Sequence, residues 1–194
     1  MKFSIELEVD SPAEWLEAVM KDFDSFLQDH ADCERKASSM AMSFVAKYPD
    51  RIEIIPELIE TAVEELEHFR DVYELMEERG VALNHEIQQD LYVKGLLNAC
   101  RSGREERFAD RLLVASIVEC RGAERFRLVA EALEEGPVKE FYKRLWTSEA
   151  KHGNIFVKMA LNYFDEEAIY KRLKELNKVE SEVMQNLPIK PALH

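Results

Sequence analysis

The chain is poor in the residues that interrupt regular structure, with six Gly and six Pro in 194 positions. That scarcity, set against plentiful Ala, Leu, Glu, Lys and Arg, argues against a turn-rich all-β fold and favours long helices. Cysteine is scarce too. Cys33, Cys100 and Cys120 form no C-x-x-C pair and leave an odd count. They make no disulfide framework, zinc ribbon or iron–sulfur set, and fit reduced thiols in a cytoplasmic protein. Apolar runs are short and broken by charge, so no segment is expected to span a bilayer and no membrane partner is expected. The opening MKFSIELEVD turns acidic within ten residues and lacks a secretory signal's apolar core. Dinucleotide and flavin fingerprints are missing as well.

Negative charge is what the chain has in excess, and it is unevenly spread. The net charge of −13 divides into 8 basic and 23 acidic groups over residues 1–93, 12 and 10 over 94–151, and 6 of each over 152–194. The middle stretch holds Arg101, Arg104, Arg107, Arg111, Arg121, Arg125, Arg127 and Arg144. Two readings stay open for these arginines. They share one face and bind a nucleic acid, or they balance neighbouring glutamates one helical turn away.

The length suits one domain over residues 1–194, with an extended segment at 1–10 and a Pro-containing tail at 187–194. Ser11-Pro12-Ala13-Glu14 reads as a helix start with Ser11 as cap. The helical pattern then runs to about Lys47, with a break near Asp22. Asp50 is placed to cap a helix reaching Arg79, Pro56 sits early in it, and Gly80 ends it. Further helices are predicted from about Glu86 to Cys100, Arg104 to Leu133 (closed by Gly136-Pro137), Val138 to Tyr163 and Glu166 to Gln185. The result is an all-α protein with four helices long enough for a bundle and shorter flanking ones. The helix at 86–100 supplies the crossover between the two halves.

Each half carries the same pattern of ligand types. Glu34 is followed 31 positions later by Glu65 in EELEHF, and Glu119 is followed 30 positions later by Glu149 in SEAKHG. His68 and His152 lie three residues after the second Glu of each pair. A Glu-x-x-His puts both side chains on one helical face, where they can grip one ion. One Glu from each of two helices and a Glu-x-x-His from each of the other two is the ligand set of a two-metal helical bundle. Imidazole with carboxylate suits iron or manganese. With 29 Glu in the chain, an isolated Glu-x-x-His arises readily by chance; the setting adds weight. Glu34 sits on the stripe Leu27, Ala31, Ala37 or Ser38, Ala41, Val45. Glu119 sits on Leu112, Ala115, Gly122 or Ala123, Phe126. A carboxylate in an apolar stripe is costly to bury unless paired or metal-bound. Glu64, Glu67 and Glu124 are the local competitors, expected in solvent or beside the ligands. His30, one turn before Glu34, either hydrogen-bonds a ligand or is a partly exposed side chain without a role. Ser38, one turn after it, either lies near bound oxygen or fills the core. His85 and His194 carry no evident chemistry.

The strings DHADCERKASSMAMSFV, ASIVECRGAERF and SEAKHG resemble the tRNA hydroxylases that act on 2-methylthio-isopentenyl adenosine beside the anticodon. The likeness covers roughly residues 11–186. It implies a ferritin-like domain with a non-haem di-iron centre, dioxygen as co-substrate and hydroxylation of the isopentenyl side chain. Carried over residue by residue, it makes Glu34, Glu65, His68, Glu119, Glu149 and His152 the iron ligands. It further implies tRNA as partner, with Arg101, Arg104, Arg107 and Arg111 as candidate phosphate contacts. The two electrons must come from a separate reductase or ferredoxin. Three rivals remain: a di-iron oxidase or oxygenase of a small molecule, a ferritin- or rubrerythrin-like handler of iron or peroxide, and a metal-free helical interaction protein. No sequence feature fixes an oligomeric state.

Overall fold

The computed structural model describes residues 6–85 and 89–194. Among the described residues there are seven helices and no strand: α1 (Ala13–Lys21), α2 (Phe23–Lys47), α3 (Ile55–Arg79), α4 (Leu91–Asn98), α5 (Arg104–Ala132), α6 (Pro137–Leu161) and α7 (Glu166–Asn186). No helix among them is long and apolar enough to cross a membrane. The chain resolves into two compact units. One takes in residues 17–85 and 190–193, here the α2–α3 unit, and the other residues 6–16, 89–189 and 194, here the α5–α6 unit.

In the α2–α3 unit, Asp22 explains where α2 begins. Its carboxylate accepts from the Ser25 N–H at 3.2 Å and the Ser25 hydroxyl at 2.8 Å, meeting a donor that a helix start leaves unsatisfied. α2 closes at Tyr48, whose N–H reaches the Phe44 carbonyl, ahead of Pro49, which disfavours helical geometry in the residue before it. Asp50 is not the cap of α3. Ile54 stands at that position without a side-chain cap, and Pro56 occupies the first turn. Gly80 ends α3 as the sequence predicts, at φ 70, a conformation that favours a residue without Cβ. The unit buries Phe26, Leu27, Ala31, Ala41 and Phe44 from α2 and Leu58, Ala62, Val72 and Met76 from α3. Ser38 ties the two helices, its hydroxyl donating to the Ala62 carbonyl at 2.8 Å.

In the α5–α6 unit, α5 packs on α6, and both touch α7; α4 packs on α7 and α5. α4 starts at Leu91, later than the expected Glu86. Asp90 takes the cap by accepting from the Val93 N–H at 2.9 Å, and residues 86–88 lie outside the described part. Pro137 opens α6 instead of only closing α5, since a first helical turn needs no N–H from it. Phe108, Phe126, Tyr142 and Phe156 are fully buried, each contributing up to about 3 kcal/mol by removal from water.

The N-terminal segment departs from its predicted role. Ser11 does not cap α1; its N–H and hydroxyl donate to Glu124 at 3.0 and 2.7 Å. Glu124 is therefore a half-buried anchor for this segment, bound to Ser11 and Arg121. Residues 6–10 carry no helix or strand, and residues 1–5 lie outside the described part.

The arginines of the middle stretch divide. Arg121 is fully buried, donating to Glu180 at 2.8 Å and to the Val9 carbonyl at 2.8 Å. Burial opposes its charge, but the Glu180 carboxylate holds its pKa above the usual value. Tyr92 also donates to Glu180, at 3.1 Å. Arg125 lies over the Trp15 ring, 4.6 Å from its centroid, and donates to Ser11 at 3.0 Å. Burial, with Arg121 beside it, brings its pKa down to about 10. These two arginines are interior groups and belong to no basic surface.

Candidate metal centre

In the α2–α3 unit, Glu34 comes from α2, and Glu65 and His68 from α3. One ligand atom of each lies within 4.8 Å of the others. His68 Nδ1 stands 3.8 Å from Glu34 Oε2 and 3.7 Å from Glu65 Oε2. In the α5–α6 unit, Glu119 comes from α5, and Glu149 and His152 from α6. His152 Nδ1 stands 3.8 Å from Glu119 Oε2 and 3.6 Å from Glu149 Oε2. The four carboxylates are buried and His152 is fully so, whereas the His68 side chain keeps 14% exposure.

These separations suit an ion better than a hydrogen bond. At 3.6–3.8 Å the imidazole nitrogen is beyond hydrogen-bonding range of either oxygen. Two ligand atoms about 2.1 Å from a shared first-row ion and that far apart would subtend about 120°, an ordinary coordination angle. The donors are carboxylate oxygen and imidazole nitrogen, a set that fits iron or manganese, and the three cysteines are free thiols outside both triads. The residues present therefore fit the group that the resemblance implies.

The surroundings of the triads differ. His30 is fully buried, with Nε2 2.6 Å from Glu34 Oε1, so of its two sequence readings the exposed one is excluded. The position four before Glu119 holds Ala115. Gly153 follows His152, and a Cβ built there would meet Cys120 Sγ at 2.7 Å. Ser116 donates to the Gly153 carbonyl at 2.7 Å. The missing side chain lets α5 and α6 approach closely right beside two ligands. No pattern in the sequence announces that Ser116 and Cys120 pack against Gly153. Glu67 is exposed and Glu64 half-buried.

The candidate phosphate contacts sit at the start of α5. Arg101 is largely committed, since its N–H and guanidinium all reach the buried Asp110, which also receives Arg172 at 2.9 Å. Burial works to raise the Asp110 pKa, but Arg101 and Arg172 hold it below the usual carboxylate value. Arg104 and Arg107 are exposed and Arg111 half-buried. Their spacing of three and four places them on one side of α5.

Comparison with known proteins defines first a class and then a family. A solved structure described as "Protein 43 with aldehyde deformylating oxygenase activity from Synechococcus" superposes with a TM-score of 0.90 at 31% identity, covering 96% of this chain and 93% of that one. The fold is thus ferritin-like: all-α, with a four-helix bundle and flanking helices. The sequence model of the family described as "tRNA-(MS[2]IO[6]A)-hydroxylase (MiaE)" matches residues 2–194, and the chain belongs to that family. A relative from Pseudomonas putida, named tRNA 2-(methylsulfanyl)-N(6)-isopentenyladenosine(37) hydroxylase, is 35% identical over 91% of this chain and 85% of its own length. One of the same name from Salmonella typhimurium is 30% identical over 68% of this chain, and the match spans 48% of that longer protein.

Proposed function

We propose that this protein is a non-haem di-iron monooxygenase that hydroxylates the isopentenyl side chain of 2-methylthio-isopentenyl adenosine next to the tRNA anticodon. The observation that carries the reading is the repeated triad, one Glu plus a Glu-x-x-His in each unit, in a chain of this family. Glu34, Glu65 and His68 would hold one iron, and Glu119, Glu149 and His152 the other. Bound there with dioxygen, the irons would supply the oxidising power for attack on an allylic C–H bond of the prenyl chain. Each turnover breaks that bond, forms C–OH and sends the second oxygen atom to water, consuming two electrons and two protons. The electrons come from a separate reductase or ferredoxin, and the setting is the cytoplasm.

The chain's own residues bind, orient and exclude. His30 fixes the rotamer of Glu34 through a 2.6 Å contact, as side chains beside metal ligands commonly do. Ser38 holds α2 against α3 through Ala62, so we assign it a spacing role, not contact with oxygen. Burial of the carboxylates keeps water from competing for their oxygens. Arg104, Arg107 and Arg111, with Arg101 at their edge, present the positive charge for tRNA phosphates. Arg104→Glu should weaken tRNA binding about tenfold in a filter-binding assay and lower its salt dependence, with iron content intact. Unchanged affinity would remove this face from the proposal.

The deciding experiment is mass spectrometry of tRNA nucleosides from a bacterium that makes the prenylated adenosine, lacks its own hydroxylase and expresses this chain. A nucleoside gaining one oxygen, lost again with Glu65→Ala, is the expected result. Iron-loaded protein that adds no oxygen would instead favour oxygenation of a small molecule, a reading supported by the activity named for the Synechococcus neighbour.

A further inference from the structure

α3 carries a second feature that the triad does not use. Ile59, Val63, Leu66 and Tyr73 are 42%, 49%, 55% and 36% exposed. Their spacing of four, three and seven residues aligns them in one stripe. Single exposed apolar side chains are ordinary, but an aligned set is a patch. Phe69 extends it, its ring stacked 6.3 Å from that of Tyr73. Alongside runs a row of exposed carboxylates, Glu60, Glu67 and Glu74, each seven residues from the next. Arg70, the base within the stripe, lies 3.7 Å from Asp71.

We propose that this face of α3 is the docking site of the electron-donor protein, and that the donor meets it with an apolar centre and a basic rim. The inference rests on the monooxygenase reading above, which requires two electrons from outside the chain at every turnover. Charge selects the occupant. A carboxylate row repels the phosphates of tRNA. Two copies of this chain pairing through the same patch would bring two carboxylate rows together, whereas a basic partner gains from them in encounter rate and orientation. Position supplies the purpose. His68 lies about 180° round the helix from Ile59. A donor on the outer face is then separated from the first triad by little more than one helix, about 10–12 Å across.

The test uses the full chain with NADPH and a purified ferredoxin reductase, a flavoprotein whose docking face is basic. Calorimetry on the iron-free protein measures docking without turnover. Val63→Ser/Leu66→Ser removes the apolar centre and keeps the charge, while Glu60→Lys/Glu67→Lys does the reverse. Each double variant should raise Kd at least tenfold and slow reductase-driven hydroxylation in step. Single-turnover hydroxylation after dithionite reduction should stay at the wild-type level. No binding to the wild-type chain, an unchanged Kd in both variants, or a wild-type dimer that either variant dissociates would overturn the proposal. A wild-type protein that docks the reductase but makes no hydroxylated nucleoside after dithionite would sink the tRNA-hydroxylase reading alone, because docking is read without iron.

Discussion

The two triads are near copies in geometry and unlike in support. Their nitrogen–oxygen separations are 3.8 and 3.7 Å in one and 3.8 and 3.6 Å in the other. Yet the first is propped by a histidine against Glu34 and keeps its own imidazole, His68, partly exposed. The second buries its imidazole completely, with its helices drawn together by Ser116 and Gly153. Its unit also contains the buried Arg121–Glu180 pair. The spacing of carboxylates and imidazole is thus the shared constraint, and each unit meets it by local means. The first uses a hydrogen bond to the carboxylate, the second close backbone packing.

The largest expected effect asks whether the triads are equivalent. Glu65→Ala and Glu149→Ala should each lower bound iron from about two per chain to about one, read by plasma emission, if each triad holds its own ion. Loss of both ions in one variant only would make that triad the senior site. Next comes Arg121→Leu. It strands the Glu180 carboxylate in the interior and should cost about 3–5 kcal/mol in urea unfolding, with much of the loss recovered in Arg121→Leu/Glu180→Leu. A single variant as stable as wild type would mean that the pair is not buried in solution. His30→Ala should lower iron affinity at the first triad by about 10–100-fold while the second triad keeps its ion. Equal loss at both would erase the difference in support.

The smallest effect depends on pH and is confined to the α5–α6 unit. Burial pushes the His194 imidazole from 6.5 down to about 4, and its ring stacks on Tyr92 at 4.9 Å. Above pH 6.5 the folded and unfolded forms are both neutral, and the full stability is present. As pH falls toward 4, the unfolded chain takes up a proton that the folded one refuses. Unfolding at pH 5 should therefore be easier by about 1–2 kcal/mol than at pH 7. His194→Phe should flatten that slope, and an unchanged slope would place the pH dependence elsewhere.

Local signals were legible in the sequence, and distant pairings were not. Gly80 and Asp22 mark helix ends because the groups that satisfy those ends lie within a turn, and Pro56 sits in a first turn because a missing N–H costs nothing there. Glu65 with His68, and Glu149 with His152, could be set on common faces by spacing alone. The start of α4 was misjudged because residues near Glu86 suit a helix, while the cap that decides the matter is Asp90. Ser11 looked like a cap because it precedes Pro12 and Glu14; its partner, Glu124, lies 113 positions away. Arg121 and Arg125 resembled their exposed neighbours for the same reason, since no pattern within α5 announces Glu180 or Trp15. His30 sits midway, visible as one turn from Glu34 but with its burial set by tertiary packing.

The Arg121 cluster bears on how the chain is made. Its guanidinium joins the Val9 carbonyl, 112 positions earlier, to Glu180, 59 positions later. The first strands of this network leave the ribosome long before the last. α2 and α3 follow each other directly and can pair as they emerge, in the N-to-C order usual for synthesis. Arg121 meets Glu124 on its own helix at 3.1 Å, but its fully buried partner Glu180 arrives only when α7 has been translated. Burial of Arg121 is therefore a late event in synthesis, and a nascent chain stalled before residue 180 would hold that guanidinium without Glu180.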